Sequence, residues 1–217
     1  MHTSEGSKCS RLTAVEQVHQ YKDAGYDGVI ITDHFVNGNS SVDRTLPWIE
    51  QMRIQFSGFR AASIEGDRIG LKVFEGIEFA YNGTEFIVLG LGEDWFICHE
   101  ETKDMSPDQF LPIFREAGAA VIHAHPYREA PYIHETRLYP NLVDAVEGFN
   151  LQNAPEWNNK AFEYAQVNNL PITAGSDCHH IGNYGAGIEL VEEPRDINDL
   201  VRIIKSGKGW NWFDEIR

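Results

Sequence analysis

Histidine and acidic residues follow several short apolar segments of this chain. They occur in Asp33-His34, at Glu78, in His123-Ala124-His125 and in Asp177-Cys178-His179. Imidazole and carboxylate groups together are ligands that suit zinc, manganese and iron. Because each group follows a different predicted strand, the sequence predicts a metal site assembled from several strands, and hence a metal-dependent hydrolase.

The segments around these residues alternate between helical and strand periodicity. Apolar residues at helical spacing end at Gly25, and a short β-branched strand follows. This alternation predicts βα units and a mostly parallel sheet. The predicted helices cover residues 12–21, 107–117, 155–167 and 197–205, and the predicted strands cover 28–32, 71–79, 85–91, 119–122, 143–149, 171–174 and 187–191.

The position of the polar residues distinguishes a barrel from an open sheet. They follow the predicted strands, and the carboxyl ends of the strands of a parallel barrel converge on one face. An open doubly wound sheet binds its ligand in one crevice and does not need ligands from so many strands. We therefore expect an α/β fold related to the TIM barrel, formed by residues 1–217 as a single domain.

Composition excludes some classes of protein. The formal net charge of -15 argues against stable nucleic-acid binding, which requires clustered Lys and Arg. The three cysteines form no C-x-x-C pair and are odd in number, which argues against a disulfide framework. No apolar run reaches the length of a membrane span and no signal segment is recognisable, so the expected location is the cytoplasm.

The residue types also indicate a reaction. Glu78 is the best candidate for a carboxylate that bridges two metals, and Asp177 and His179 lie on the same side of an extended segment. Two metals about 3.5–4 Å apart can activate a shared water and stabilise both oxygens of an in-line displacement. The expected reaction is phosphoester hydrolysis by a hydroxide that bridges the metals.

The ordered motifs resemble those of the PHP family, named for polymerase and histidinol phosphatase. They are Ile-Thr-Asp33-His34, Gly-Ile-Glu78, Ala-His125-Pro and Gly-Ser-Asp177-Cys-His179. The resemblance implies a distorted TIM-like barrel of seven βα units, (β/α)7, and a phosphoesterase site with two or three divalent metals, zinc, manganese or iron. By position, it implies that His2 and Asp177 bind the first metal, Glu78 bridges to the second, His125 binds the second, and His34 and His179 bind the third.

The sequence departs from the family pattern at its opening strand. That strand ends in Asp-x-His-x-His in the family, and here His2 matches only the final histidine. The first strand is therefore expected to be incomplete if Met1 is the start. Glu5 is the nearby candidate for a third-metal ligand, while His123 or His99 could replace a second-metal histidine that is missing from the strand at 85–91.

Other residues near the motifs are candidates for substrate contact. Arg128 could bind a substrate phosphate through two parallel hydrogen bonds, or it could be a solvated loop residue. His180 is a weaker candidate for proton donation. Glu147 and Asn150 are expected to orient the ligands. The expected partner is a small phosphorylated substrate, a phosphomonoester or a nucleotide-like phosphodiester, and the oligomeric state stays open.

Two alternatives remain. One is a degenerate PHP domain that keeps the fold and acts as a binding or regulatory module, which the incomplete opening motif favours. The other is an amidohydrolase-like metal hydrolase acting on a C–N bond. Retention of the ligand residues argues against the module, since unpaired ligands in a buried pocket are costly.

Overall fold

A computed structural model describes residues 1–214 of the chain. Its helices are α1 (Ala14–Asp23), α2 (Trp48–Gln55), α3 (Ser57–Ile69), α4 (Glu93–Ile97), a short 3-10 helix (Glu100–Asp104), α5 (Pro107–Glu116), α6 (Pro155–Val167) and α7 (Ile197–Ser206). Its strands are β1 (Gly28–Ile31), β2 (Lys72–Tyr81), β3 (Thr84–Leu89), β4 (Ala120–Ala124), β5 (Ala145–Asn150), β6 (Ile172–Gly175), β7 (Ala186–Leu190) and β8 (Trp210–Asp214). The α/β class predicted from the sequence is confirmed.

Strands β1 to β6 form one six-stranded sheet in sequential order. The sheet curls into a half-barrel, and β7 and β8 form a separate antiparallel hairpin. Strand β3 is antiparallel to both β2 and β4, whereas the other neighbouring strands of the sheet are parallel. The prediction of a (β/α)7 barrel is therefore supported only at the coarser level of an α/β half-barrel.

The antiparallel strand has a local cause. Asn82 and Gly83 connect β2 to β3 in two residues, and both have positive φ, 49° and 84°. A two-residue loop of this kind matches the twist of an antiparallel pair. It leaves no room for the helix that a parallel crossover needs.

The N-terminal residues lie beside the edge of the sheet at β1. The Met1 carbonyl accepts a hydrogen bond from the Thr32 amide at 2.9 Å, and the His2 amide donates to the Cys178 carbonyl at 3.2 Å. Residues 1–3 therefore run between the end of β1 and the segment that follows β6. Next to them is a cavity of about 750 Å³, whose apolar lining includes Phe74, Leu89 and Ile122.

The outer face of the sheet carries an aromatic core. Phe79 of β2 and Phe86 of β3 pack against Phe110 and Phe114 of α5. The inner face is covered by α7, whose Leu200 packs with apolar residues of β3 and β4. Because successive side chains of a strand point to opposite faces, each strand contributes to both layers. Within residues 1–214, no helix is long and apolar enough to span a bilayer.

Candidate metal centre

The predicted ligands come together at one end of the half-barrel. His34 follows β1, Glu78 lies in the second half of β2, and His125 directly follows β4. Asp177 and His179 lie in the loop after β6, and His2 reaches the same place from the N-terminal segment. All of these residues except the half-buried His179 are buried.

The Glu78 carboxylate lies between three histidines. Its Oε2 is 2.8 Å from His34 Nδ1 and 3.4 Å from His2 Nε2, and its Oε1 is 3.1 Å from His125 Nε2. A carboxylate whose two oxygens face different imidazoles has the arrangement needed to bridge two ions. The bridging role expected for Glu78 from the sequence stays a prediction.

Asp177 forms the second part of the cluster. Its Oδ1 is 3.0 Å from His2 Nε2 and 3.8 Å from His179 Nδ1. Its Oδ2 accepts a 2.6 Å hydrogen bond from Arg128 Nη2, and the same guanidinium donates to Asn150 Oδ1 at 2.9 Å. Arg128 therefore holds Asp177 in place. The carboxylate of Glu147 accepts from the His125 amide at 2.9 Å and orients that residue in the same way.

The donor set fits metal ions on two observations. Two groups have ligand atoms that all lie within 4.8 Å of one another, His2 with His34 and His179, and His34 with Glu78 and Glu85. In addition, the buried atoms His34 Nδ1 and Glu78 Oε2 make no hydrogen bond of normal geometry despite their close approach. Buried polar atoms of this kind are normally satisfied, and a cation between them would satisfy both.

The electrostatics of the cluster keep the carboxylates of Glu78 and Asp177 ionised. Burial raises the pKa of Glu78, but His34 and His125 outweigh that effect and hold it well below its usual value. The pKa of Asp177 is likewise well below its usual value, since hydrogen bonding to His2 and the charge of Arg128 outweigh burial. Burial and the neighbouring His34 lower the pKa of His2 to about 4. Anionic carboxylates and a neutral imidazole are the forms that bind metal.

The loop that carries His2 is fixed by Asp33. The Asp33 carboxylate accepts hydrogen bonds from the Thr3 amide and hydroxyl, both at 2.6 Å, and from the Ser7 hydroxyl at 2.7 Å. Gly58 of α3 packs directly against this network, because a Cβ there would lie 2.2 Å from Thr3 Oγ1. Asp33 therefore positions the N-terminal loop, although it lies next to His34 in the sequence.

Two residues of the cluster were not identified from the sequence. Glu85, at the start of β3, has Oε1 3.4 Å from His34 Nδ1 and Oε2 3.5 Å from His125 Nε2. Its alternation with Ile87 and Leu89, which face the interior, could have indicated it. The Cys9 thiol contacts both His179 and His34, and although its burial raises the thiol pKa, these contacts lower it to about 7.

Other candidates lie outside the cluster. The Glu5 carboxylate accepts from the Ala14 amide at the start of α1, at 3.0 Å and 3.1 Å. His99 stacks on Trp95, and the buried His123 stacks on Phe86 in the outer core. The exposed ring of His180 has its centroid 6.4 Å from that of His179. None of these four is brought into the ligand cluster of the described residues.

His123 lies in the outer layer because of a change in the backbone. Alternation along an extended strand puts residues 123 and 125 on one side, which was the basis for naming His123. However, β4 ends at Ala124, and His125 has a φ of 26°. The chain therefore turns at this point, and His125 enters the cluster while His123 remains in the core.

Comparison with known proteins gives a family match and a distant relative. A family model described as PHP-associated matches residues 155–209. An uncharacterised protein of Methanocaldococcus jannaschii is 32% identical over 136 residues, which cover 57% of this chain and 55% of that protein. The match thus spans little more than half the length of this relative.

Solved structures share the fold at low sequence identity. A two-domain protein from Bacteroides vulgatus, described as containing a predicted PHP-like metal-dependent phosphoesterase, has a TM-score of 0.70 at 14% identity, over 99% of this chain and 63% of that chain. A protein from Bifidobacterium adolescentis, described as a candidate metal-dependent phosphoesterase, has a TM-score of 0.56 at 16% identity, over 95% and 94%. An amidohydrolase from Chromobacterium violaceum with bound sulfate has a TM-score of 0.57 at 14% identity, over 99% and 96%.

Proposed function

We propose that the chain is a metal-dependent phosphoesterase of the PHP family, which the PHP-associated match to residues 155–209 and the fold shared with the solved structures support. Its substrate is a small phosphomonoester or a nucleotide-like phosphodiester. The observation that carries the proposal is the carboxylate of Glu78, which has one oxygen close to His34 and the other close to His125. This arrangement suits two neighbouring ions that share one carboxylate.

Five of the ligand-type residues form two adjacent groups that share His34. The first consists of His2, His34 and His179, and the second of His34, Glu78 and Glu85. Metal ions held there would lower the pKa of a water and polarise a phosphoryl oxygen. Zinc, manganese and iron all accept this mixture of imidazole and carboxylate ligands.

The surrounding residues orient the ligands. Arg128 fixes Asp177, and Glu147 fixes the backbone of His125. Groups of this kind hold a ligand in the geometry that the ion requires. His180, which is exposed beside His179, is the candidate for giving a proton to the leaving group. The proposal also gives Arg128 a contact with the substrate phosphate.

The Asp177→Asn variant tests the proposal. We expect the wild-type chain, loaded with manganese, zinc or iron, to hydrolyse p-nitrophenyl phosphate or bis-p-nitrophenyl phosphate. Loss of the carboxylate charge should lower kcat/KM by at least about 100-fold, because Asp177 contacts both His2 and His179. Asp67→Asn, at an exposed position of α3, is the matched control and should retain full activity.

The substrate panel separates the proposal from its two rivals. Hydrolysis of amide substrates without turnover of phosphate esters would identify an amidohydrolase, the class of the Chromobacterium violaceum structure. Bound metal with no hydrolysis of either class would identify a binding module. Full activity of Asp177→Asn would refute the assignment of the site.

A further inference from the structure

Three glutamine side chains are buried in the part of the chain that the structure describes, Gln17 of α1 and Gln51 and Gln55 of α2. Glutamine is mostly exposed in proteins, and a buried amide is costly unless it is hydrogen-bonded. Each of the three donates from Nε2 to backbone carbonyl oxygens. The carbonyls that they reach differ, and this difference separates Gln51 from the other two.

Gln17 connects two segments that carry candidate ligands. Its Nε2 donates to the His2 carbonyl at 2.6 Å and to the Cys178 carbonyl at 3.2 Å. Cys178 is the residue between the two candidate ligands of the segment that follows β6. One side-chain amide therefore fixes the backbone of the N-terminal segment relative to the backbone of the segment after β6.

The direction of the Gln17 amide is itself fixed. Helix α1 packs its buried face against Val29 and Ile31 of β1, and Gln17 is fully buried within that helix. Its Oε1 accepts a 2.7 Å hydrogen bond from Gln20 Nε2. Both the nitrogen and the oxygen of the amide thus have partners, so the side chain is held in one orientation on a face that otherwise packs apolar residues.

Gln55 makes a similar contact with a different candidate ligand. Its Nε2 donates to the His34 carbonyl at 3.0 Å. Gln51, one turn earlier in α2, instead donates to the carbonyls of Arg44 and Leu46, at 3.2 Å and 2.8 Å. These two carbonyls belong to the loop before α2, outside the ligand cluster. Two of the three buried glutamines therefore bind the backbone at candidate ligands, and the third binds a loop in the same way.

The residues that these amides hold form one group of imidazoles. Ligand atoms of His2, His34 and His179 lie within 4.8 Å of one another. The ring of His2 stacks on those of His34 and His179, with centroids 4.4 Å and 4.7 Å apart. The three rings come from three separate segments, so their spacing depends on how the backbones of those segments are held. A metal ion binds well only when its ligands are held in the required geometry.

We infer that Gln17 and Gln55 are positioning residues of the metal centre, which hold His2, His34 and His179 at the spacing that one shared ion requires. This inference rests on the proposed function. Each glutamine acts through a backbone carbonyl, of a ligand or of the residue beside it, and not by binding the ion. Helices α1 and α2 thereby set the geometry of the centre from outside it.

Metal binding by Gln17→Leu and Gln55→Leu tests the inference without reference to catalysis. Leucine fills much of the same space but donates no hydrogen bond, so each variant should bind zinc at least about tenfold more weakly than the wild type. Bound Co²⁺ should show shifted visible absorption bands, because these bands depend on the arrangement of the ligands. Gln51→Leu is the matched control, since it removes a buried amide that also binds two carbonyls. It should keep the zinc affinity and the cobalt spectrum of the wild type, even where it changes stability.

The Gln17→Leu variant should fold, because each carbonyl keeps another donor. The His2 carbonyl keeps the Ser10 hydroxyl at 3.1 Å, and the Cys178 carbonyl keeps the His2 amide at 3.2 Å. Urea unfolding of the metal-free proteins separates a loss of stability from a loss of affinity.

The outcomes distinguish this inference from the proposed function. Wild-type zinc affinity and an unshifted cobalt spectrum in Gln17→Leu or Gln55→Leu would overturn the inference for that residue, even if phosphoester hydrolysis persists. An equal loss of affinity in Gln51→Leu would overturn it for both, because the effect would then be one of general stability. Failure of the wild-type protein to bind any metal would overturn both this inference and the proposed function.

Discussion

Two residues of the ligand cluster have backbone conformations that non-glycine residues rarely adopt. His125 has a φ of 26° and Asp177 a φ of 48°. Conformations of this kind cost of order 1–3 kcal/mol each and persist only where surrounding contacts impose them. Here the Glu147 carboxylate binds the amide of His125, and Arg128 binds the side chain of Asp177. Glu147 and Arg128 therefore hold the strained backbones of His125 and Asp177 in place as well as orienting them as ligands.

Arg128→Lys tests this role at the scale of one residue. Lysine keeps the charge but cannot contact Asp177, Asn150 and Asn153 together, as the guanidinium does. We expect metal affinity to fall by about 10- to 100-fold, with a smaller change in stability. Calorimetric titration of metal into the variant measures this.

A surface arginine provides the control for this change. Arg137 donates to the Asn82 carbonyl and pairs with the exposed Glu135, outside the cluster. Arg137→Lys should leave metal affinity unchanged. Equal affinities for wild-type protein and Arg128→Lys would mean that Asp177 is positioned without Arg128.

At the scale of elements, β2 and α4 meet at a half-buried acid, Glu75. The Glu75 carboxylate of β2 lies against Gly92, where an added Cβ would be 2.6 Å from Glu75 Oε2. Burial, with Glu93 of α4 close by, raises the pKa of Glu75 to about 7. The carboxyl group is therefore protonated in the folded state at pH values where the unfolded chain has already released the proton.

This junction predicts a pH dependence of stability. Between pH 4.5 and 7, Glu75 binds more protons in the folded state than in the unfolded state. Its contribution to the free energy of unfolding is therefore present at low pH and is lost as the pH rises through about 7. The free energy of unfolding should fall by about 2 kcal/mol as Glu75 loses its proton, after allowance for the partial exposure of this side chain. Urea unfolding at pH 5 and pH 8 should show a smaller difference for Glu75→Gln than for the wild type.

An exposed acid controls for general effects of charge. Glu116, at the end of α5, is exposed, and Glu116→Gln should keep the wild-type pH dependence. An unchanged pH dependence in Glu75→Gln would show that Glu75 titrates normally in the folded protein.

Most of the helices and strands, but not all of them, could be predicted from the sequence. The predicted strands and the helices α1, α5, α6 and α7 exist near their expected positions. Helices α2, α3 and α4 and strand β8 were not predicted. In α3, Gly58 and Gly66 interrupt the apolar pattern. Both glycines permit close packing, since a Cβ at Gly66 would lie 2.5 Å from the Val73 side chain. The two glycines are required by contacts between elements, and the periodicity of a local segment does not reveal such contacts.

The candidate site was predictable to a similar extent. His2, His34, Glu78, His125, Asp177 and His179 were named from motifs and converge in the structure. Glu85 and Cys9 were not named from the sequence. The alternation of Glu85 with Ile87 and Leu89 indicates the face of β3 on which it lies, but its place in the cluster also depends on the antiparallel direction of β3, and the place of Cys9 depends on the path of a loop. The Asn82-Gly83 turn is the local signal that would have revealed that direction.

At the scale of the whole molecule, the net charge of -15 opposes an anionic substrate. Its repulsion extends about 30 Å at 0.01 M salt but only about 8 Å at 0.15 M. We therefore expect kcat/KM for a phosphomonoester dianion to rise severalfold over this range, through KM and with little change in kcat. Steady-state kinetics at constant metal concentration measures this.

The charge of the substrate provides an internal comparison for the salt effect. A phosphodiester monoanion should respond less than a monoester dianion, because its repulsion is weaker. A decrease in kcat/KM with added salt for both substrates would show that local positive charge at the site dominates the net charge of the chain.

The contact between His2 and Asp177 joins residues that are 175 positions apart. During synthesis, His2 emerges from the ribosome long before its partner, and the enclosing strand β6 is also made late. Contacts of such separation require closure of a long loop and form slowly. A metal ion held by His2 and Asp177 would therefore be bound late in folding, after residues 1–3 and the segment that follows β6 have come together.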